Sequence, residues 1–251
     1  MISELLQLTP LQIFLSILII FIAYVVKGLS GFGSGLVAIP LLAFLFPLKL
    51  IVPVLGLLSY SGTIMQSLQL RKQVVWRDLF PLIPFSVAGI SIATWLLVNI
   101  EAHLLALALG IFVLSYSIYS LLAFNISAGS RHWAILAGSF GGLVGALFGT
   151  GGPFYVVYFK MRQLDKGAFR ATIAMVFLID GGTRMLTYAS AGLFTQQVIT
   201  LIVLLFPVLV IAMYVGNHLH IKINQHRFNQ VISIMLFFSG IMLIYKAVNF
   251  G

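Results

Sequence analysis

The sequence predicts an all-α polytopic membrane protein, and three observations carry that expectation. Of 251 residues, 61% are hydrophobic and only 8% charged, with a mean hydropathy of +1.12; an ordinary globular domain is roughly half apolar and about a quarter charged. The apolar residues fall in about ten runs separated by short loops, with no polar stretch long enough to fold as a soluble domain. The basic residues that make the formal net charge +9 sit almost entirely in those loops, so the charge reports topology before any nucleic-acid partner. Met1 to Pro10 lacks the basic n-region of a cleavable signal peptide, and the whole chain is expected to be the membrane domain.

A helix needs about 20 apolar residues to cross the hydrocarbon core. The candidate segments are 10–27, 34–47, 50–69, 79–99, 102–124, 132–148, 152–160, 168–190, 196–219 and 228–248. The second and seventh are too short to span and are expected to be re-entrant or half-crossing. With the N-terminus outside, the cytoplasmic loops hold Lys27; Arg71, Lys72 and Arg77; Arg131; Lys160, Arg162, Lys166 and Arg170; and Lys222 and Arg227. Only Lys49 and Lys246 fall on the other side, an asymmetry of eleven to two that obeys the positive-inside rule.

The two halves share landmarks. Gly31-Phe32-Gly33-Ser34-Gly35 has a counterpart in Gly149-Thr150-Gly151-Gly152-Pro153, and Ser61-Gly62-Thr63 one in Gly181-Gly182-Thr183, at offsets of 118 and 120 residues. The expected organisation is a first membrane repeat at 1–125 and a second at 126–251, forming one integrated transport domain. With five segments per repeat the second copy enters the membrane from the opposite side, the inverted-repeat plan of many secondary transporters.

Non-helical backbone at membrane depth is tolerated only against protein or water. A helix restarting there, at Ser34 and again at Gly152 or Pro153, offers free N–H groups and the positive end of its dipole to an anion. Pro153 suits a first helical turn, where its missing N–H costs nothing. The candidate substrate-binding residues are therefore Gly31, Gly33, Ser34, Gly35, Gly149, Thr150, Gly151 and Gly152, with both short helices expected to aim at one shared point. The alternative use of these glycines is close helix packing of the GxxxG kind.

Two charges lie within a segment, Asp180 and Arg184. Their i,i+4 spacing allows a helical ion pair. The other use is functional: Arg184 offers an anion a permanently charged fork, Gly181-Gly182 break the helix and point the pair apart, and Asp180 orients Arg184 or titrates as a coupling group. Thr183 beside them, and Thr63 and Gln66 in the first half, add hydroxyl and amide candidates to the site.

Enzyme signatures are missing. Leu36 stands where a dinucleotide fingerprint needs its third glycine, and Ser34 lacks the flanking glycines of a nucleophile elbow. The five histidines lie at segment ends or in loops, cysteine is absent, and no metal site is expected. Trp76, Trp95, Trp133, Tyr155, Tyr158 and Tyr245 read as interfacial anchors.

The motifs Gly31-Phe32-Gly33-Ser34-Gly35 running into Ile39-Pro40-Leu41-Leu42, Phe148-Gly149-Thr150-Gly151-Gly152-Pro153, and Lys166 to Thr172 together resemble the TauE/SafE family, the sulfite exporter family of membrane permeases. The resemblance covers nearly the whole chain. It implies a bacterial inner-membrane carrier of small sulfur-containing anions such as sulfite or sulfonates. The expected partners are a small anionic substrate, a co-transported proton or cation, the lipid bilayer and a second copy of the chain in a homodimer; no cofactor and no nucleic acid are expected. An anion channel built from the same polar elements and a non-transporting accessory subunit are the rival readings.

Overall fold

The computed structural model describes residues 9–30, 33–122, 127–218 and 225–250. Among them the chain forms eleven α-helices, one short 3-10 turn at Arg71–Gln73 and no strand. The helices are α1 Pro10–Ser30, α2 Ser34–Leu42, α3 Leu48–Leu70, α4 Trp76–Leu79, α5 Ile83–Asn99, α6 Ala102–Leu121, α7 Trp133–Phe148, α8 Gly152–Met161, α9 Lys166–Ser190, α10 Gln196–His218 and α11 Gln225–Phe250. The all-helical membrane expectation holds. The two segments expected to be too short are nine and ten residues long, which at 1.5 Å per residue falls well short of a roughly 30 Å hydrocarbon core. Segment 79–99 divides into α4 and α5.

The helices group into two compact units, each drawing on both halves of the sequence: Met1–Val54, Ile100–Phe124 and Phe194–Gly251 in the first, Leu55–Asn99 and Asn125–Leu193 in the second. The first unit contains the four helices long and apolar enough to cross a membrane, over Pro10–Gly28, Ala102–Leu121, Gln196–Gly216 and Ile232–Asn249. In it α1 pairs with α10 and α6 with α11. Small residues permit both approaches: a Cβ on Gly216 would meet the Val25 carbonyl oxygen at 2.6 Å. The α6–α11 crossing is reciprocal. A Cβ on Gly110 would face the Gly240 carbonyl and Ile244 N, and one on Gly240 the Gly110 carbonyl and Leu114 N. Ser117 Oγ donates to the Ser233 carbonyl at 2.6 Å, so the two helices run antiparallel through that point.

Lys27, expected in a cytoplasmic loop, instead belongs to the last turn of α1 and is 6% exposed, its ammonium 5.9 Å from the Tyr24 ring centroid. Cation–π attraction and the negative end of the helix suit that placement.

The second unit joins the short α4, α5, α7 and α8 to the 25-residue α9. Its tightest pair is α5 with α7: a Cβ on Gly142 would collide with the Ser86 carbonyl, and one on Gly138 would lie 2.7 Å from that of Leu82. So packing is one genuine use of these glycines. Helix α9 begins at Asp165, whose carboxylate caps the Gly167 and Ala168 amides at 3.0 and 3.2 Å. It then runs unbroken through Gly181-Gly182 to Ser190. The expected break is not there. Tyr60 packs on Gly181 and fills the space its absent side chain leaves, so these glycines admit a ring from α3.

One end of this unit is held by charge. Asp78, 3% exposed, accepts from Arg131 Nε at 2.7 Å and Arg162 Nε at 3.1 Å. Arg162 Nη1 also donates to the Gly129 carbonyl at 2.5 Å, and Tyr158 Oη to the Asp78 carbonyl at 3.1 Å. Tyr158, expected as an interfacial anchor, is 1% exposed and belongs to the core with Leu79, Leu82 and Phe159.

Candidate anion site at the start of helix α8

The path from α7 to α8 is a reversal made by small residues. Gly149 ends α7 in the left-handed region at φ 63°, a conformation that side chains with a Cβ resist, and its N–H closes on the Gly145 carbonyl at 2.9 Å. Thr150 follows, and Gly151 takes the N-cap position of α8 without a side-chain cap. Pro153 occupies the first turn, as expected. Gly151 is pressed so closely on α7 that a Cβ would run into the Gly141 carbonyl oxygen. The Tyr188 hydroxyl donates to the Ala146 carbonyl, satisfying one of the orphan acceptors at the end of α7.

Arg184 comes to this reversal from α9. A Cβ on Gly145 would meet Arg184 Nη2 at 3.1 Å and the Cα and N of Gly151 at 3.5 and 3.6 Å, so guanidinium and helix start flank one point. Two buried side-chain atoms have no hydrogen-bond partner among the described residues: Thr150 Oγ1 and Arg184 Nε. Thr150 is 2% exposed. An unsatisfied buried polar group costs about 1–3 kcal/mol, and most native groups avoid it. One lies in the turn that leads into the uncapped N-terminus of α8 and the other on the arginine that reaches that turn, and a helix N-terminus with a guanidinium beside it suits an anion.

Asp180 does not pair with Arg184. The ion pairs among the described residues are His103–Glu101, Arg131–Asp78 and Arg162–Asp78. The Asp180 carboxylate, 3% exposed, instead accepts the Tyr155 hydroxyl, and the Ser86 hydroxyl also lies against it. Tyr155 was expected at the interface. It is 1% exposed, with its ring on Gly141 and edge-on to Phe177. A legible signal existed: a tyrosine in the first turn of a helix restarting at membrane depth faces the protein interior, not the headgroups.

Of the expected site residues, Gly151 and Arg184 flank one point at the end of α7, with Gly149 forming the turn, Thr150 buried directly after it and Gly152 the first residue of α8. Thr183 Oγ1 donates to the Ile179 carbonyl at 3.0 Å and Thr63 Oγ1 to that of Ser59 at 2.9 Å. Gly33, at φ 94°, precedes the buried Ser34 and Gly35 at the start of α2 in the first unit, again with no side-chain cap. Gly31 and the side chain of Gln66 lie outside the described residues. No group of three potential metal ligands occurs among the described residues.

The sulfite exporter TauE/SafE family profile matches residues 16–243. Among curated relatives, the chain is 24% identical over 182 residues to the "Probable inner membrane transporter protein TsaS" of Comamonas testosteroni, covering 68% of this chain and 73% of that one. It is 24% identical over 199 residues to the "Probable sulfite/organosulfonate exporter TauE" of Cupriavidus necator, covering 76% and 77%. No solved structure matches significantly. A family match that spans nearly all of an all-helical, membrane-type chain makes this protein a member of the TauE/SafE sulfite exporter family.

Proposed function

We propose that the protein is a secondary carrier of a small sulfur oxyanion, sulfite or an organosulfonate, across the bacterial inner membrane, with the anion bound at the start of α8. The observation that carries the proposal is the pair of unpartnered buried atoms, Thr150 Oγ1 and Arg184 Nε. A sulfonate or sulfite group brings several acceptor oxygens and negative charge, which these donors and the helix end lack in its absence. The names of the two curated relatives support the substrate class.

Alternating access follows the inverted-repeat plan, and the helix pairings support that plan. The ten long and short segments, with α4 set aside, map onto one another five apart. The pair α1–α10 then becomes α7–α5, and the antiparallel pair α6–α11 becomes itself. Its crossing at Gly110 and Gly240 is reciprocal, each glycine facing the carbonyl of the other. The glycine-started α2 is the counterpart of α8 in chain order. The N-terminus is assigned to the outside on the distribution of loop charge.

The test is counterflow in proteoliposomes. Vesicles loaded with sulfite, thiosulfate, methanesulfonate or acetate are diluted into trace labelled anion of the same kind. Saturable, trans-stimulated uptake of a sulfur oxyanion, lost in Arg184→Gln, is the expected result. Non-saturating flux without counterflow, or counterflow of acetate alone, would overturn the assignment.

A further inference from the structure

The mechanism above leaves one buried charge unused. Asp180 lies one helical turn before Arg184, yet among the described residues its carboxylate forms no ion pair and accepts the Tyr155 hydroxyl instead. The groups around it are Tyr155 from α8, Ser86 from α5, Arg184 from its own helix, and the Tyr60 ring from α3 over the adjoining Gly181. No second carboxylate and no ion pair are part of that set. Asp78 shows how the same unit treats an acid used for structure: it is wrapped by two arginines.

We propose that Asp180 is the proton-coupling group of the carrier, binding one proton for each anion taken up at Thr150 and Arg184, with the Tyr155 hydroxyl as its hydrogen-bond partner. This rests on the anion site proposed above. The logic is charge balance at membrane depth. With Asp180 ionised and no anion present, the Asp180–Arg184 pair of charges sums to zero within one turn of α9. A proton taken by the carboxylate from water leaves Arg184 uncompensated, and a monoanion restores neutrality. The empty deprotonated site and the site holding both proton and anion are therefore the two neutral states. Either ligand alone leaves a net charge, which is expensive to carry through a low-dielectric layer. Obligatory coupling follows, because only the neutral states change their side of access. By linkage, protons and anion raise each other's affinity by the same factor.

The geometry also joins the two ligands mechanically. Tyr155 is the fourth residue of α8, whose first turn forms the proposed anion site, and its hydroxyl reaches Asp180 on α9. An anion that shifts the start of α8 moves the donor of the Asp180 hydrogen bond with it.

The experiment uses the full chain in proteoliposomes with a trapped pH-sensitive dye, and methanesulfonate as probe, because a sulfonate stays a monoanion between about pH 5 and pH 8. An inward methanesulfonate gradient is expected to carry protons into wild-type vesicles. An inward proton gradient is expected to accumulate labelled anion, whereas a sodium gradient is not. In binding measurements on the detergent-solubilised protein, affinity falls about tenfold per pH unit above the transition in wild type. Asp180→Asn abolishes accumulation driven by the proton gradient and makes binding independent of pH. Tyr155→Phe keeps the ring on Gly141 and Phe177 but removes the donor to the carboxylate, so the pH at which binding is half lost moves upward. That shift would not arise from a merely structural role. Saturable methanesulfonate exchange in wild type without proton movement, or accumulation driven by sodium, would overturn the coupling and leave the carrier intact. Persisting pH dependence in Asp180→Asn would overturn the assignment to that residue. Failure of wild type to exchange any anion of the sulfite, thiosulfate and methanesulfonate set would overturn the carrier and the coupling together.

Discussion

Two buried aspartates in the same unit are treated in opposite ways. Asp78, at the end of α4, is saturated: Arg131 and Arg162 both donate to one of its side-chain oxygens, and Tyr158 to its main-chain carbonyl. Asp180, in the middle of α9, has an arginine one turn away and does not pair with it. Around Asp78 the Nε of each arginine is bonded, and Arg162 also serves the Gly129 carbonyl. Around Arg184 and Thr150 two buried polar atoms have no partner. A folded chain tolerates that cost where something else is gained, and a ligand site is the usual gain. Saturated charge therefore marks the part of the unit that holds its shape, and unsatisfied polarity marks the part that binds.

The largest expected effect lies on the saturated side. Asp78→Ala leaves two partly exposed arginines without their acceptor and removes two charge-assisted hydrogen bonds, each worth about 1.5–3 kcal/mol. Its melting temperature in detergent should fall by many degrees with or without anion. Asp180→Asn can still accept the Tyr155 hydroxyl and should melt close to wild type. If the two substitutions destabilise equally, the contrast drawn between the two aspartates fails.

Next in size are the glycines at the tight α5–α7 contact. Gly142→Ala places a methyl group on the Ser86 main-chain carbonyl, where no flexible side chain can yield. Overpacking of that kind costs about 1–3 kcal/mol, and thermal melts should show it directly. Gly182→Ala should be far milder, since its added carbon would meet only the end of the Tyr60 ring, at 3.2 Å. A smaller effect on stability is expected from Arg184→Gln, but a larger one on binding. Losing a charge-assisted hydrogen bond is worth about 1.5–3 kcal/mol, so anion affinity in an equilibrium titration should fall about 10–100-fold.

How much of this was legible in the sequence depends on the length scale of the signal. Helix positions followed from hydropathy and punctuation: Gly33 and Gly149 are left-handed, Pro153 lies in the first turn of α8, and both short helices begin where their glycine clusters predict. Arg184 stood out because few charged residues occur inside apolar segments, and Thr150 because it sits in the glycine-rich break between two of them. What stayed hidden were contacts between helices distant in sequence. The i,i+4 spacing of Asp180 and Arg184 suggested either an ion pair or a broken helix, and neither occurs, because Tyr155 competes from another helix and Tyr60 fills the gap at Gly181. Lys27 and Tyr158 were assigned to loop and interface from their position in the chain, while three-dimensional packing buries both. Local propensity fixes where a helix starts; which hydroxyl reaches which carboxylate is decided by tertiary packing.

The most direct measurement concerns Thr150→Val, a change of one hydroxyl for one methyl at a site that is 2% exposed. If Thr150 Oγ1 is held unpartnered for a ligand, removing it should raise the melting temperature of the anion-free protein. A gain of about 1 kcal/mol corresponds to about 2–4 °C for a chain of this size. The stabilisation that sulfite or methanesulfonate confers on wild type should shrink or vanish in the same variant. A lower melting temperature together with an undiminished anion shift would mean that the hydroxyl serves the fold, and the start of α8 would lose its claim to the substrate.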